Sequence, residues 1–246
     1  MPAPIPTTIR NAAGERLDFT YHPALPTDSD PRIVLIAHGV TSTKDRPYLL
    51  TLSQTLSHAG IASLRFSFAG NGNSEGNYRD LTITKELDDL TAILDAIPHR
   101  HPIYAGHSMG AAVGVLHAAR DPRIRALISL AGMTHIQHFM TRTFGHLTPD
   151  RDFKLDKPTC PLTQRFLDDA RAHHDTLTAA ATIHIPWLLL HGTADELVPI
   201  ADAHDAHSAA NNRPDLIELP DADHRFTNHE QTMADAVATW LRTLPA

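Results

Sequence analysis

The sequence predicts an α/β fold with a doubly wound, mostly parallel sheet and one small inserted cap. Short continuous apolar runs such as Ile33–Ala37 and Trp187–Leu190 are typical of strands covered on both faces. Runs with apolar residues every three or four positions separate them and predict helices. The alternation breaks between about residues 133 and 185, and a break of that length indicates a cap rather than a connection.

The N-terminal half predicts strands and helices in regular alternation. Two strands, Ile5–Arg10 and Arg16–Tyr21, flank a turn at Asn11–Gly14. The elements that follow are strand Ile33–Ala37, helix Pro47–Ala59, strand Ile61–Phe68, helix Leu81–Ile97, strand Pro102–Ala105, helix Met109–Ala119 and strand Ala126–Gly132.

The C-terminal half begins with the cap and then resumes the alternation. Within the cap, Leu162–Ala181 is predicted to be helical. Thr227 and Glu230 fit a capping box at the start of the last helix. The elements after the cap are strand Trp187–Gly192, helix Ile200–Ala210, strand Leu216–Leu219 and a final helix from about Asn228. One domain spanning residues 1–246, with the cap at about 133–185, is expected.

Composition excludes several classes of partner. The net charge is -7 and no basic run is present, which argues against binding to nucleic acid or an anionic membrane. No apolar stretch approaches the roughly 18 residues that span a bilayer, and Met1–Pro6 lacks the pattern of a signal peptide. A soluble cytoplasmic protein with a small-molecule substrate is expected, and the sequence leaves the oligomeric state open.

The segment Gly106–Gly110 reads G-x-S-x-G between a predicted strand and a predicted helix. That context is typical of a nucleophile elbow, where a tight turn exposes the hydroxyl of Ser108 and glycine is needed two residues to either side. The turn also leaves the N–H of Met109 free at a helix N-terminus, where negative charge is favoured. The alternative is a Gly/Ser turn with no chemistry.

A serine nucleophile needs a base, and the base needs an orienting acid. His224, between the last strand and the last helix, is the candidate base, and Asp195, just past a strand end, is the candidate acid. An oxyanion hole needs two N–H donors, for which Val40 and Met109 are the candidates. The rival bases are His204, His207 and His229, and the rival acids are Asp221 and Asp223.

The sequence gives little support for a phosphate-binding loop or a metal site. The loop Gly70–Gly76 is rich in glycine, but no helix opens on it and no G-K-[ST] follows. His135 and His138 are spaced like ligands, yet no H-E-x-x-H or Cys/His set is present. We therefore expect neither a metal nor a cofactor.

Five segments together resemble the α/β-hydrolase fold family, in family order along the chain: His38–Gly39, Phe68–Gly76, Gly106–Gly110, His191–Pro199 and Asp223–His224. Within that family the small cap and these loops are similar to bacterial feruloyl (cinnamoyl) esterases and to general carboxylesterases. The resemblance implies a triad of Ser108, Asp195 and His224, with Val40 and Met109 as oxyanion donors.

The expected function is hydrolysis of carboxylic esters through an acyl-enzyme on Ser108. The same triad also supports thioesterase, lactonase, acyl-peptidase and carbon–carbon hydrolase activity, since substrate choice depends on the pocket and not on the fold. A non-catalytic ligand-binding member of the fold is a further alternative.

Overall fold

A central sheet of seven strands organises the computed structural model, which describes residues 4–27 and 29–245. The strand order is β3-β5-β4-β6-β7-β8-β9, and only β3 runs antiparallel to its neighbour. The predicted mostly parallel sheet is confirmed. The strands are β1 (Ile9–Arg10), β2 (Arg16–Leu17), β3 (Phe19–His22), β4 (Arg32–Ala37), β5 (Ala62–Phe66), β6 (His101–His107), β7 (Ala126–Leu130), β8 (Trp187–Gly192) and β9 (Asp215–Leu219).

Helices cover both faces of this sheet, so its strands are buried on two sides. In β4, Ile33 and Leu35 pack into one apolar cluster, and Val34 and Ile36 pack into the other. This arrangement explains the continuous apolar run, because every residue of the strand meets a hydrophobic layer. The α-helices are α1 (Pro47–His58), α2 (Ile83–Asp95), α3 (Met109–Ala118), α4 (Ile136–Phe144), α5 (Gln164–His173), α6 (Leu177–Ala180), α7 (Ala201–Ala209) and α8 (Glu230–Thr243).

Three local predictions are wrong. The single strand predicted at Arg16–Tyr21 divides at Asp18, so that β2 pairs with β1 while β3 joins the large sheet. The single helix predicted at Leu162–Ala181 is divided into α5 and α6 by His174, whose φ of 56° ends α5. The predicted capping box is absent, because the Thr227 N–H donates to Asp223 Oδ1 and α8 begins only after His229.

Other predicted elements are confirmed with ends shifted by a few residues. The Met1–Pro6 segment considered for a signal peptide lies partly outside the described residues. In the described part of the chain, no helix is long and apolar enough to cross a membrane.

The parallel strands end at one edge of the sheet, and the loops that carry the candidate residues leave from that edge. β4 leads to Val40, β6 to Ser108, β8 to Asp195 and β9 to His224. Because ligands bind outside the carboxyl ends of such strands, residues distant in sequence meet there.

The 133–185 segment connects β7 to β8 and packs three of its phenylalanine side chains onto the main core. Phe139, Phe144 and Phe166 are buried in the same cluster as α2. The centroids of the Phe139 and Phe144 rings are 5.8 Å apart, and those of Phe144 and Phe166 are 6.5 Å apart. The segment is therefore continuous with the domain core.

A buried lysine belongs to this segment. The side chain of Lys154 is fully enclosed, with its ammonium 4.3 Å from the centre of the Phe166 ring and 4.6 Å from that of Tyr78. Its Nζ donates to the carbonyl of Pro161 at 2.9 Å. Burial lowers the pKa of Lys154 to about 8, because the charged form loses its hydration.

Lys154→Met is expected to remove a pH dependence of stability. The folded protein releases the Lys154 proton near pH 8 and the unfolded chain near 10.5, so the free energy of unfolding should rise across that interval. The rise corresponds to about 3 kcal/mol, at about 1.4 kcal/mol per pH unit. Urea unfolding between pH 8 and 10.5 measures it, with Lys85→Met as the control. An equal slope in wild type and Lys154→Met would contradict this prediction.

Candidate active site

Ser108 alone forms the turn between β6 and α3. Its φ of 55° and ψ of -119° lie in a region that side chains rarely adopt. A Cβ on Gly106 would lie 2.3 Å from the carbonyl oxygen of Gly110, and one on Gly110 would lie 2.4 Å from that of His38. The turn is possible only because both positions lack a side chain.

The loop after β4 passes directly beside the serine. A Cβ on Gly39 would lie 2.8 Å from Cβ of Ser108, and Val40 lines the same cleft as Ser108. Among the described residues, neither the Val40 N–H nor the Met109 N–H donates a hydrogen bond. Both N–H groups are thus unused within the described chain, which is a requirement for the donors of an oxyanion hole.

Gly39→Ala is expected to lower kcat by about 10²–10³-fold, the usual effect of losing one oxyanion donor, because the new methyl group would push the Val40 loop away from Ser108. Steady-state kinetics on an activated ester measure the loss. Gly60→Ala is the control: its φ is 79° and the nearest atom to a new Cβ is 3.7 Å away, so it should lower stability and leave kcat unchanged. A Gly39→Ala enzyme with normal kcat would exclude Val40 as a donor.

Asp195 and His224 form a buried pair. His224 Nδ1 lies 2.8 Å from Asp195 Oδ2, while Asp195 Oδ1 accepts from the N–H groups of Leu197 at 2.9 Å and Val198 at 2.8 Å. With Nδ1 donating to the carboxylate, Nε2 of His224 is left as the proton acceptor. The pair is arranged as a base and its orienting acid.

The carboxyl of Asp195 stays ionised. Its burial alone favours the protonated form, but hydrogen bonds from His191 and His224 outweigh that effect and hold the pKa of Asp195 well below its usual value. A fixed negative charge behind His224 stabilises the imidazolium that forms when the ring takes a proton.

Ser108 and His224 line one narrow cleft, with a free volume of about 30 Å³, room for roughly one water. No hydrogen bond joins their side chains among the described residues. Such bonds are often long without substrate and tighten in the complex. The five predicted site residues thus fall in one place: three line the cleft, Asp195 lies directly behind His224, and Met109 follows Ser108.

His107, within the elbow, links three elements. Tyr48 Oη lies 3.1 Å from His107 Nδ1, and His107 Nε2 lies 2.8 Å from the carbonyl oxygen of His224. Since a carbonyl only accepts, Nε2 donates and Nδ1 accepts from Tyr48. Burial, together with the nearby His224, holds the pKa of His107 well below its ordinary value. A neutral His107 therefore fixes the loop of the candidate base.

A second histidine contacts the acid and was not singled out from the sequence. His191 Nε2 lies 2.9 Å from the carbonyl oxygen of Val198 and 3.2 Å from Asp195 Oδ2. The carbonyl requires that Nε2 carry the proton, so His191 also donates toward the carboxylate. The only sequence signal was its position before Gly192 at the end of β8.

His38 braces its own loop. Its Nε2 accepts from the Phe68 N–H at 3.1 Å, so its Nδ1 donates to the carbonyl of Gly39 at 2.8 Å. Burial lowers its pKa to about 4, which keeps the ring neutral.

Three of the rival residues have other partners. His204 pairs with Glu218 at 2.8 Å, and His229 with the carbonyl of Thr227 at 3.0 Å. Asp223 accepts from backbone N–H groups of its own loop. Within residues 4–27 and 29–245, no group of three His, Cys, Asp or Glu side chains is arranged to hold a metal.

Comparisons with known proteins identify the family of the chain. A family model described as serine aminopeptidase, S33, matches residues 29–165. Palmitoyl-protein thioesterase ABHD10 of Bos taurus is 25% identical over 231 residues, covering 85% of this chain and 74% of its own. Monoacylglycerol lipase of Mycolicibacterium smegmatis is 25% identical, covering 87% and 89%.

A solved structure of Est1E from Butyrivibrio proteoclasticus with bound ferulic acid superposes with a TM-score of 0.86, at 22% identity, over 97% of this chain and 98% of that one. This likeness supports the fold, and the family match covers more than half of the sequence. The chain therefore belongs to the serine aminopeptidase S33 family of the α/β-hydrolases and is a serine hydrolase.

Proposed function

We propose that this serine hydrolase cleaves carboxylic esters, with Ser108 as nucleophile, His224 as base and Asp195 as the acid that orients it. The observation that carries the proposal is the 2.8 Å pairing of His224 Nδ1 with Asp195, in a cleft shared with the strained Ser108. This pairing leaves His224 Nε2 available for the proton of a nucleophile.

In the proposed reaction, Ser108 Oγ attacks the ester carbonyl while its proton passes to His224 Nε2. The N–H groups of Val40 and Met109 hold the oxyanion. As the intermediate collapses, His224 gives the proton to the leaving alcohol and an acyl-enzyme remains. Water then attacks the acyl group, gives its proton to His224 and releases the acid, and Ser108 recovers its proton.

We further propose that residues 133–185 form a cap over a single domain spanning residues 1–246. Leu155 and Lys157 of this segment line the cleft beside Ser108. The turn that carries these two side chains would therefore form part of the wall of the substrate site. Exchange of residues 133–185 for a related cap should then change the acyl-chain preference, and an unaltered preference would contradict the proposal.

Thioesters are the second candidate substrates, because the ABHD10 relatives are named palmitoyl-protein thioesterases. Attack by the serine and stabilisation of the oxyanion are the same, and only the leaving atom differs. The same name includes the word mitochondrial, so the cytoplasmic location expected from the sequence remains a prediction.

Initial rates on a panel of esters and thioesters test the proposal. The panel comprises 4-nitrophenyl esters from acetyl to palmitoyl, methyl ferulate and palmitoyl-coenzyme A, with His224→Ala and the matched His204→Ala as variants. We expect ester hydrolysis that His224→Ala abolishes and His204→Ala retains. Hydrolysis of thioesters alone would favour the second candidate. No hydrolysis, together with no labelling by a fluorophosphonate, would favour a ligand-binding protein.

A further inference from the structure

Three cationic side chains line the cleft that contains Ser108: Arg46, Lys157 and Arg225. Among the described residues, none of the three has a carboxylate within ion-pair distance. No Asp or Glu lines the cleft with them, and the carboxylate of Asp195 is enclosed behind His224. The cleft is thus positive in a chain whose net charge is -7.

Two of these cations make hydrogen bonds that leave their charge uncompensated. Lys157 Nζ donates to the carbonyl of Thr41 at 2.7 Å. Arg46 donates to the same carbonyl at 3.2 Å and to Ser42 Oγ at 2.8 Å. These neutral acceptors fix the two side chains beside the Val40 loop. Burial lowers the pKa of Lys157, and the charges of Arg46 and Arg225 lower it further, as expected where cations lie close together.

Arg225 is the most exposed of the three and directly follows His224. Asp223 accepts the backbone N–H of Arg225 at 2.9 Å, but its carboxylate does not ion-pair with the guanidinium. The guanidinium makes no hydrogen bond with a described residue. A planar group with unused donors is suited to bind a carboxylate or a phosphate.

We propose that this cleft selects esters that carry an anionic group, a carboxylate or a phosphate, close to the scissile bond. The inference rests on the proposed esterase function and specifies its substrate class. A substrate anion would relieve the repulsion among Arg46, Lys157 and Arg225, and a positive narrow cleft concentrates anionic ligands. A neutral ester of the same shape would gain neither effect.

Arg225 gives the clearest test, since its replacement removes charge without removing a contact to the Val40 loop. Arg213 is the matched control. It is also exposed, and it precedes β9, so it lies at the opposite edge of the sheet from Ser108. The same substitution at Arg225 and at Arg213 changes the net charge of the protein equally. Only the substitution at Arg225 changes the charge of the cleft.

The experiment compares kcat/KM for anionic and neutral esters in wild type, Arg225→Gln, Arg225→Glu and the same two changes at Arg213. For the acyl side, 4-nitrophenyl hemisuccinate is paired with 4-nitrophenyl pentanoate. For the alcohol side, 4-acetoxybenzoate and 4-acetoxyphenyl phosphate are compared with 4-acetoxybenzamide. The preferred substrate shows whether the cleft binds a carboxylate or a phosphate, and whether that group lies on the acyl side or the alcohol side of the ester.

We expect wild type to prefer an anionic ester, and Arg225→Gln to lower kcat/KM for that ester by about two- to fivefold, the range for one exposed ion pair. Arg225→Glu should lower it further, and high salt should weaken the preference. At Arg225 the loss should be larger for the anionic ester than for its neutral partner, and both Arg213 variants should keep the wild-type kcat/KM for both esters. Hydrolysis of neutral and anionic esters at equal rates would overturn this inference and leave the esterase function intact. Absence of any ester hydrolysis would overturn both.

Discussion

Ser108→Ala is expected to lower kcat for ester hydrolysis by about 10⁶-fold, as in other serine triads. The variant retains the elbow and the cleft but has no Oγ to form the acyl-enzyme. Labelling by a fluorophosphonate should disappear with the activity. Circular dichroism provides the check on folding, because the elbow is tightly packed and a misfolded variant would also be inactive.

Ser108→Gly separates the nucleophile from the strained backbone. It should be equally inactive, yet more stable than Ser108→Ala by about 1 kcal/mol, because glycine adopts the φ of 55° without steric cost. Thermal unfolding of the two variants measures this difference. If kcat in both variants fell by much less than about 10⁶-fold, the nucleophile would be another residue.

Asp195→Asn is expected to lower kcat by about 10⁴-fold. The amide would present an N–H where His224 Nδ1 now donates, so the ring would turn or adopt the tautomer whose Nε2 cannot accept a proton. Steady-state kinetics at neutral pH measure the effect. Asp221→Asn, at the exposed rival acid, is the matched control and should retain normal kcat.

The same variant tests the ionisation of Asp195 through stability. Because the folded-state pKa of this carboxyl is depressed, its charge stabilises the fold above the unfolded-state value of about 3.9, and that contribution is lost as pH falls. Wild type should thus be more stable than Asp195→Asn at neutral pH, and the difference should shrink in acid. A difference that does not change with pH would contradict the assignment.

The sequence predicts the sheet well because the signals of parallel strands are local. β8 has the predicted bounds, and β4 begins one residue earlier than predicted, since each strand is a continuous apolar run. The candidate site could also be predicted from the sequence, because its residues directly follow those strands. Ser108, Asp195 and His224 are separated by long stretches of sequence, but the parallel order of β6, β8 and β9 requires that they meet at one edge.

The features that sequence reasoning missed depend on tertiary partners. The strand predicted at Arg16–Tyr21 divides because the Asp18 N–H donates to Ser74 Oγ, 56 residues away. The contacts of His107 with Tyr48 and with the carbonyl of His224 join residues 59 and 117 positions apart. No periodicity or motif reports such pairs. The grouping of Arg46, Lys157 and Arg225 is of the same kind, since each comes from a different loop.

The bond between Lys157 and the carbonyl of Thr41 joins the proposed cap to the loop of Val40, the proposed oxyanion donor. A displacement of that part of the cap would break this bond or move Thr41, the residue next to Val40. With Val40 in that role, a change at this point of the cap is expected to alter turnover as well as affinity. Such a link would limit how far the substrate range of this protein can be broadened without a loss of rate.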